Sequence, residues 1–328
     1  MRRRLAALLL TFAAVPGLWW RSPTAAIRHD QSATFSALPF PKNCCSVGNI
    51  AVTGAWRITS RNSYAYGYSA LISPAAGRLL ALSDAGQFMD FASPDQPASA
   101  VRIGQMPLGA SVEKHKRDVE SATRDPLTGR IWIGIEGQGV IVRLSDRLTA
   151  ERKIINPAIR DWPSNKGPEA MARLADGRFI VLGEGFAGRL EWRRHPALLF
   201  QGDPTAGSQA ESFLFAGHSG YRPTDMAALP DGRVLIVMRQ LRWPFPIRLG
   251  VRLMIADPRQ IRPGEDWHAL DLGEIKAPVP IDNFEGLALV PETNGTVTGW
   301  LISDDNGAAF QRTLLLRLRI DPARLPWP

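Results

Sequence analysis

An all-β propeller of four-stranded blades is the fold this sequence predicts. Three observations predict it: a hairpin pattern that recurs five times, a near-even spacing between the copies, and the lack of any long helical period. The 328 residues include 29 Gly and 26 Pro, which is many turns for the length, and 45% of the chain is hydrophobic against 21% charged, the balance of a folded globule.

Each copy is an apolar alternating stretch, a Gly-centred turn and a second, strongly apolar stretch, and so reads as a β-hairpin. The copies run from Ser69 to Asp84, from Glu120 to Glu136, from Glu169 to Glu184, from Asp225 to Arg239, and from Glu285 to Asp304. Asp-Gly and Thr-Gly pairs supply the positive φ angles that tight hairpin turns need. Pro126, Pro230 and Pro291 can end the first strand, because proline donates no ladder hydrogen bond. Further strand candidates at 139–144, 252–255 and 312–320 bring each repeat to four strands. The starts at 69, 120, 169, 225 and 285 are separated by 51, 49, 56 and 60 residues, the period of a propeller blade and far above that of a β-solenoid. Five blades are counted, and a sixth with a degraded hairpin stays open. The last blade lacks a fourth strand of its own while 51–58 is left over near the start, so the N-terminal strand is expected to close the ring and remove exposed edges.

Met1-Arg2-Arg3-Arg4 precedes an apolar run from Leu5 to Trp20 and then small residues at Thr24, Ala25 and Ala26, the pattern of a secretory signal. An N-terminal anchor set by Trp19, Trp20 and Arg21 is the alternative. Residues 1–26 are therefore read as signal peptide or anchor, 27–47 as a leader loop and 48–328 as a single propeller domain, periplasmic or secreted. No later segment approaches the roughly 18 apolar residues of a membrane span, so none is expected after the signal segment. Of the formal charge of +8, four charges sit on Arg2, Arg3, Arg4 and Arg21, leaving +4 on the mature chain. With no basic run interleaved with aromatics, nucleic acid is not an expected partner. Cys44 and Cys45 are adjacent, so no long-range intrachain disulfide is available; they are free, joined to each other or joined to another chain. A monomer is expected.

In a propeller the innermost strand of each blade begins at the face where the second strand ends. The starts at Glu120, Glu169, Asp225 and Glu285 and the ends at Asp84, Glu136, Glu184 and Asp304 should therefore converge at one mouth of the channel. Carboxylates gathered near one axis repel unless some are protonated or a cation neutralises them, and hard oxygen ligands suit a divalent metal, above all calcium. The expected metal ligands are Glu120, Glu169, Asp225, Glu285 and Asp304; solvated rim acids are the alternative. Three residues before the acids stand Arg117, Lys166 and Arg222, with Asp282 the exception. Together with Arg239 these cations can hold an anionic substrate, or else pair with the acids themselves. His115 and His218 fall near the same mouth, where a histidine can act as general acid or base. The spelling Gly183-Glu-Gly-Phe-Ala-Gly188 matches a dinucleotide fingerprint, but no helix follows it, and elbow, zincin and phosphate-loop motifs are missing from the sequence.

Asp118-Val-Glu-Ser-Ala, Asn165-Lys-Gly-Pro-Glu-Ala-Met, Thr224-Asp-Met-Ala-Ala-Leu-Pro-Asp-Gly, Asn283-Phe-Glu-Gly-Leu-Ala-Leu and Ser303-Asp-Asp-Asn resemble the phytase-like esterase family over about 48–320. The closing Glu-Gly-Leu-Ala and Ser-Asp-Asp-Asn elements are the most specific. Glu169-Ala-Met and Asp225-Met-Ala stand where Glu-Gly-Leu is commoner. The resemblance implies an exported propeller with esterase or phosphoesterase activity. The resulting expectation is metal-assisted hydrolysis of a small anionic or phosphate ester. Glu120, Glu169, Asp225, Glu285 and His115 are expected at the reacting centre, and Arg117, Lys166, Arg222 and Arg239 on the substrate. A non-catalytic propeller that binds a periplasmic ligand or protein, or a lactonase-like propeller, is the competing class.

Overall fold

The computed structural model of the chain describes residues 27–41, 45–97, 99–108, 117–137, 139–162, 167–188, 192–242, 248–308 and 311–328. The N-terminal segment 1–26, His115, Lys166 and Cys44 lie outside them. Two short strands, β1 (Thr34–Ala37) and β2 (Ser46–Val47), precede the long β3 (Ile50–Thr59). Four antiparallel blades follow in order. The first is β4 (Tyr68–Ala75), β5 (Arg78–Ser83), β6 (Gln87–Ala92) and β7 (Arg102–Gln105). The second is β8 (Val119–Arg124), β9 (Ile131–Ile135), β10 (Val140–Leu144) and β11 (Ala150–Ile155). The third is β12 (Pro168–Arg173), β13 (Phe179–Gly183), β14 (Arg194–Phe200) and β15 (Ala210–Ala216). The fourth is β16 (Arg222–Ala228), β17 (Val234–Arg242), β18 (Arg248–Ala256) and β20 (Leu270–Ile275), while the three-residue β19 (Asp266–His268) between the last two adds in parallel to β15 at the edge of the third.

The fifth blade joins the two ends of the chain. Strands β21 (Asn283–Pro291), β22 (Val297–Asp304) and β23 (Leu314–Ile320) are completed by β3, which pairs with β23 from Leu314 opposite Arg57 to Arg319 opposite Ala51. The ring thus has five blades, closed by the N-terminal strand as the leftover segment predicted. The stretch 27–47 is not wholly the loop expected for it. Strand β1 pairs with β3 from Thr34↔Thr59 to Ala37↔Trp56, because Phe35 has an apolar place to go, stacked on Phe91 with 5.1 Å between ring centroids. Cys45, just before β2, is disulfide-bonded.

The strong apolarity of each second strand has a packing cause. Strand β17 sits inside its sheet with blades on both sides. Leu235 and Val237 pack with Leu253, Phe284 and Leu301 toward blade five, while Val234, Ile236 and Met238 pack with Ala172, Leu182 and Phe215 toward blade three. Both faces being buried, alternation vanishes and the strand reads as one hydrophobic run. Burying one such side chain is worth about 1.5–3 kcal/mol. At the far end of the hairpins Gly177 and Gly232 hold φ of 89° and 91°, a region closed to most side chains, which is why Asp-Gly recurs there.

Candidate functional site

The five innermost strands β4, β8, β12, β16 and β21 share a defect at the same level. Pairing with the second strand slips by one residue between Tyr68 and Ala70, Val119 and Ser121, Pro168 and Ala170, Pro223 and Asp225, and Phe284 and Gly286. The bulged residues are therefore Ser69, Glu120, Glu169, Thr224 and Glu285. A bulge re-aims the extra side chain out of the regular alternation, and in three blades that side chain is a glutamate. The residue before each bulge pairs with Ser83, Ile135, Gly183, Met238 or Ser303. The next residue along each second strand is Asp84, Glu136, Glu184, Arg239 or Asp304. Two tiers of side chains thus meet at one mouth of the channel, both acidic on blades two, three and five, one acidic on blade one and neither on blade four.

They enclose a cavity of about 270 Å³ lined by Asp84, Asp118, Glu120, Glu136, Glu169, Glu184, Arg239, Glu285, Asp304 and Asn306. Of the expected site residues, the fold brings together Glu120, Glu169, Glu285, Asp304 and Arg239. Asp225 is placed elsewhere. It stands one residue past the bulge, in the slot of Ser121 and Gly286, and Thr224 takes the position sequence spacing gave to it. Its fully buried carboxyl accepts the N–H of Met226 at 2.8 Å and of Leu287 at 2.7 Å, tying blade four to blade five. Thr224 supports the same seam, its hydroxyl donating to the Phe284 carbonyl at 3.2 Å.

The cations divide likewise. Arg239 holds the acid slot of blade four. Its Nη1 lies 2.7 Å from Glu285 Oε1 and its Nη2 lies 3.2 Å from Glu184 Oε1, and Nη1 also donates to Asn283 Oδ1. Arg222 lies outside the cavity lining, with Nη1 2.9 Å from Glu184 Oε2, so it pairs with an acid of the neighbouring blade. Arg117 is likewise not part of the lining; its stem packs against Gly86. His218 stands apart, edge-on to Tyr221 and 3.8 Å from Asp271 Oδ2.

Electrostatically the cavity is strained toward holding protons. Burial, then repulsion from Glu169 and Glu285, holds Glu120 well above the usual carboxylate range. Burial and the carboxylates of Glu184 and Glu136 do the same to Glu169, and burial with Glu285 nearby does so for Asp304. Burial and a hydrogen bond that protonated Glu136 donates to the Asp118 carboxylate push Glu136 up to about 7. Burial raises Glu285 too, although Arg239 opposes it. Against its own burial, Arg239 is kept above its ordinary value by Glu285, Glu184 and Glu169.

One group within the ring suits a metal ion. The carboxylates of Asp118, Glu120 and Glu136 each offer an oxygen within 4.8 Å of the other two. An all-oxygen set of that span fits a hard cation with ligand distances of about 2.3–2.6 Å, as calcium has. Strand spacing pointed to Glu120 but not to Asp118, which lies just before β8 and entered the sequence reading only as the first residue of a family motif. The backbone joins it to the second strand, the Glu136 N–H donating to the Asp118 carbonyl at 2.8 Å.

A five-bladed propeller with a carboxylate-lined mouth is the class these observations define. The family model for phytase-like proteins, described as esterase-like activity of phytase, matches residues 65–307, and the chain belongs to that family. No curated protein matches the chain. Among solved structures it is similar to the glutaminyl cyclase of Myxococcus xanthus, with 12% identity and a TM-score of 0.44 over 83% of this chain and 97% of that one. It is also similar to a luciferin-regenerating enzyme, with 12% identity and a TM-score of 0.44 over 89% of each chain. Likeness at that level carries nothing about chemistry.

Proposed function

We propose that the protein is a hydrolase of small anionic esters, phosphate esters included, which works at the acidic mouth with a divalent cation, calcium by donor chemistry, held by Asp118, Glu120 and Glu136. The observation that carries this reading is the bulge register, which turns three glutamates from three blades onto one cavity. A bound cation there would supply a Lewis acid and lower the pKa of a coordinated water. The protein's own groups supply the rest. Glu169, raised well above the usual carboxylate range by burial and by the carboxylates of Glu184 and Glu136, can give its proton to the departing alcohol oxygen. Arg239, already fixed by Glu184 and Glu285, presents a guanidinium edge that favours an anionic oxygen over a neutral one.

The test is a panel of neutral, carboxylate-bearing and phosphate esters assayed in calcium and in chelator. Calcium-dependent turnover that fails in Glu169→Gln supports the reading, and no turnover of any ester in saturating calcium overturns it. Residues 1–26 belong to the same proposal as an export signal, placing the activity in the periplasm or outside the cell with 48–328 as one monomeric domain. N-terminal sequencing from the native host should find a start near residue 25 to 30. An intact Met1 in the cytoplasmic fraction rejects export.

A further inference from the structure

Around the acidic mouth the surface changes character. Trp192 is 57% exposed and Tyr66 is 37% exposed, and both sit on the mouth face. Trp192 belongs to the connection from β13 to β14, and Tyr66 lies two residues before β4. Neither is a stray surface ring. The Trp192 ring lies against Phe186, with 5.5 Å between centroids and 60° between planes. Phe186 in turn carries the Arg222 guanidinium 5.2 Å from its own centroid. That guanidinium is the one bonded to Glu184, which lines the cavity. The backbone secures the wall as well, since the Gly220 N–H donates to the Trp192 carbonyl at 2.6 Å. Across the mouth, a Cβ added to Gly307 would meet the Tyr66 ring at 3.6 Å, so a loop following the cavity residues Asp304 and Asn306 packs on that aromatic.

We propose that Trp192, backed by Phe186, is a stacking platform for a planar aromatic ring carried by the ester, which makes aryl esters and aryl phosphates the preferred substrate class. This rests on the reading of the mouth as an ester site. The cavity is lined by carboxylates, one guanidinium and one amide, so an apolar remainder of the molecule finds no matching contact inside it and meets one along the rim instead. Beside Glu184 that rim is an aromatic wall reached through Arg222. Ring stacking of this kind is worth about 0.5–1.5 kcal/mol beyond the area it buries, a factor of roughly two to ten in affinity.

Calorimetric titration with phenylphosphonate and methylphosphonate in calcium tests the platform. The phenyl compound should bind about three- to tenfold more tightly, the preference should vanish in Trp192→Ala, and Trp192→Phe should keep most of it. A ratio unchanged in Trp192→Ala overturns the proposal. Should neither phosphonate bind, the anionic-ester reading fails. The platform is then judged by titrating benzyl alcohol against the Trp192 indole N–H resonance, assigned by its loss in Trp192→Phe. A selective shift of that signal upholds stacking, and a shift no larger than those of the other indoles rejects it.

Discussion

Arg239 occupies in the fourth blade the slot that Glu184 occupies in the third, and its Nη2 lies 3.2 Å from that glutamate's Oε1. One blade of the ring therefore carries the countercharge for its two neighbours, since the same guanidinium reaches Glu285 at 2.7 Å on the other side.

Replacing Arg239 with Met should cost about 2–4 kcal/mol of stability in chelator, because the largely buried Glu285 loses its cation and Glu184 keeps only Arg222. Part of that loss should return in calcium. Denaturant titration in both conditions reads the effect, and an unchanged midpoint in chelator would mean that the carboxylates are relieved by protonation instead.

Calcium should stabilise the wild-type protein by about 2.7 kcal/mol at one hundred times its dissociation constant. Asp118→Asn and Glu136→Gln should each remove most of that gain, whereas Asp304→Asn should not, since Asp304 lies outside the tight oxygen set. Melting curves that coincide in chelator and in millimolar calcium would take the metal out of the mechanism.

The pH dependence of stability should depend on the cation. Glu136 is pushed up to about 7 from 4.5, and Glu120, Glu169 and Asp304 are also raised, so the folded protein binds protons that the unfolded chain has released. Their contribution is full below the unfolded values and is lost as pH rises through the folded ones. In chelator, stability should therefore fall from about pH 5 to pH 8, and calcium should flatten the decline. His195 works in the opposite direction. It is buried, its Nδ1–H reaches the carbonyls of Glu184 and Gly185 at 3.1 Å each, and burial lowers it from 6.5 to about 4. Its contribution is lost as pH falls through that window, by on the order of 3 kcal/mol. The difference between wild-type and His195→Gln stability curves should carry that slope.

Asp225→Ala should destabilise the fold by roughly 2–4 kcal/mol, because the buried N–H groups of Met226 and Leu287 both lose their acceptor. Calcium affinity should be unchanged. A variant with normal stability and lost calcium response would return Asp225 to the mouth.

The contrast between Asp225 and Glu120 marks the boundary of what the sequence reveals. Blade number, hairpins and ring closure are legible because turn chemistry and fully apolar second strands are written in residue types. The acids that end those strands are legible for the same reason. A β-bulge has no residue signature, so acid type alone aligned Asp225 with Glu120 and Glu169, although Thr224 is the residue that stands as far before Gly232 as Glu169 stands before Gly177. Arg222 shifted with it, away from the level of Arg117 and onto that of Asp118 and Asn283. Trp192 was silent for another reason, since it lies in a connection between strands and only the fold sets such a segment beside the cavity.

The closing of blade five bears on the order of events when the chain is made. Residues 50–59 are made well before their partner at 314–320, Arg57 and Leu314 being 257 residues apart. A nascent chain can pair this strand with β1 and β2 at once, but must carry its other edge unpaired while the four intervening blades are made. Local hairpins can form early, but the circular architecture locks only when the final strand arrives. Until then the polypeptide stays an open, threadable strip, the state a translocation channel can accept.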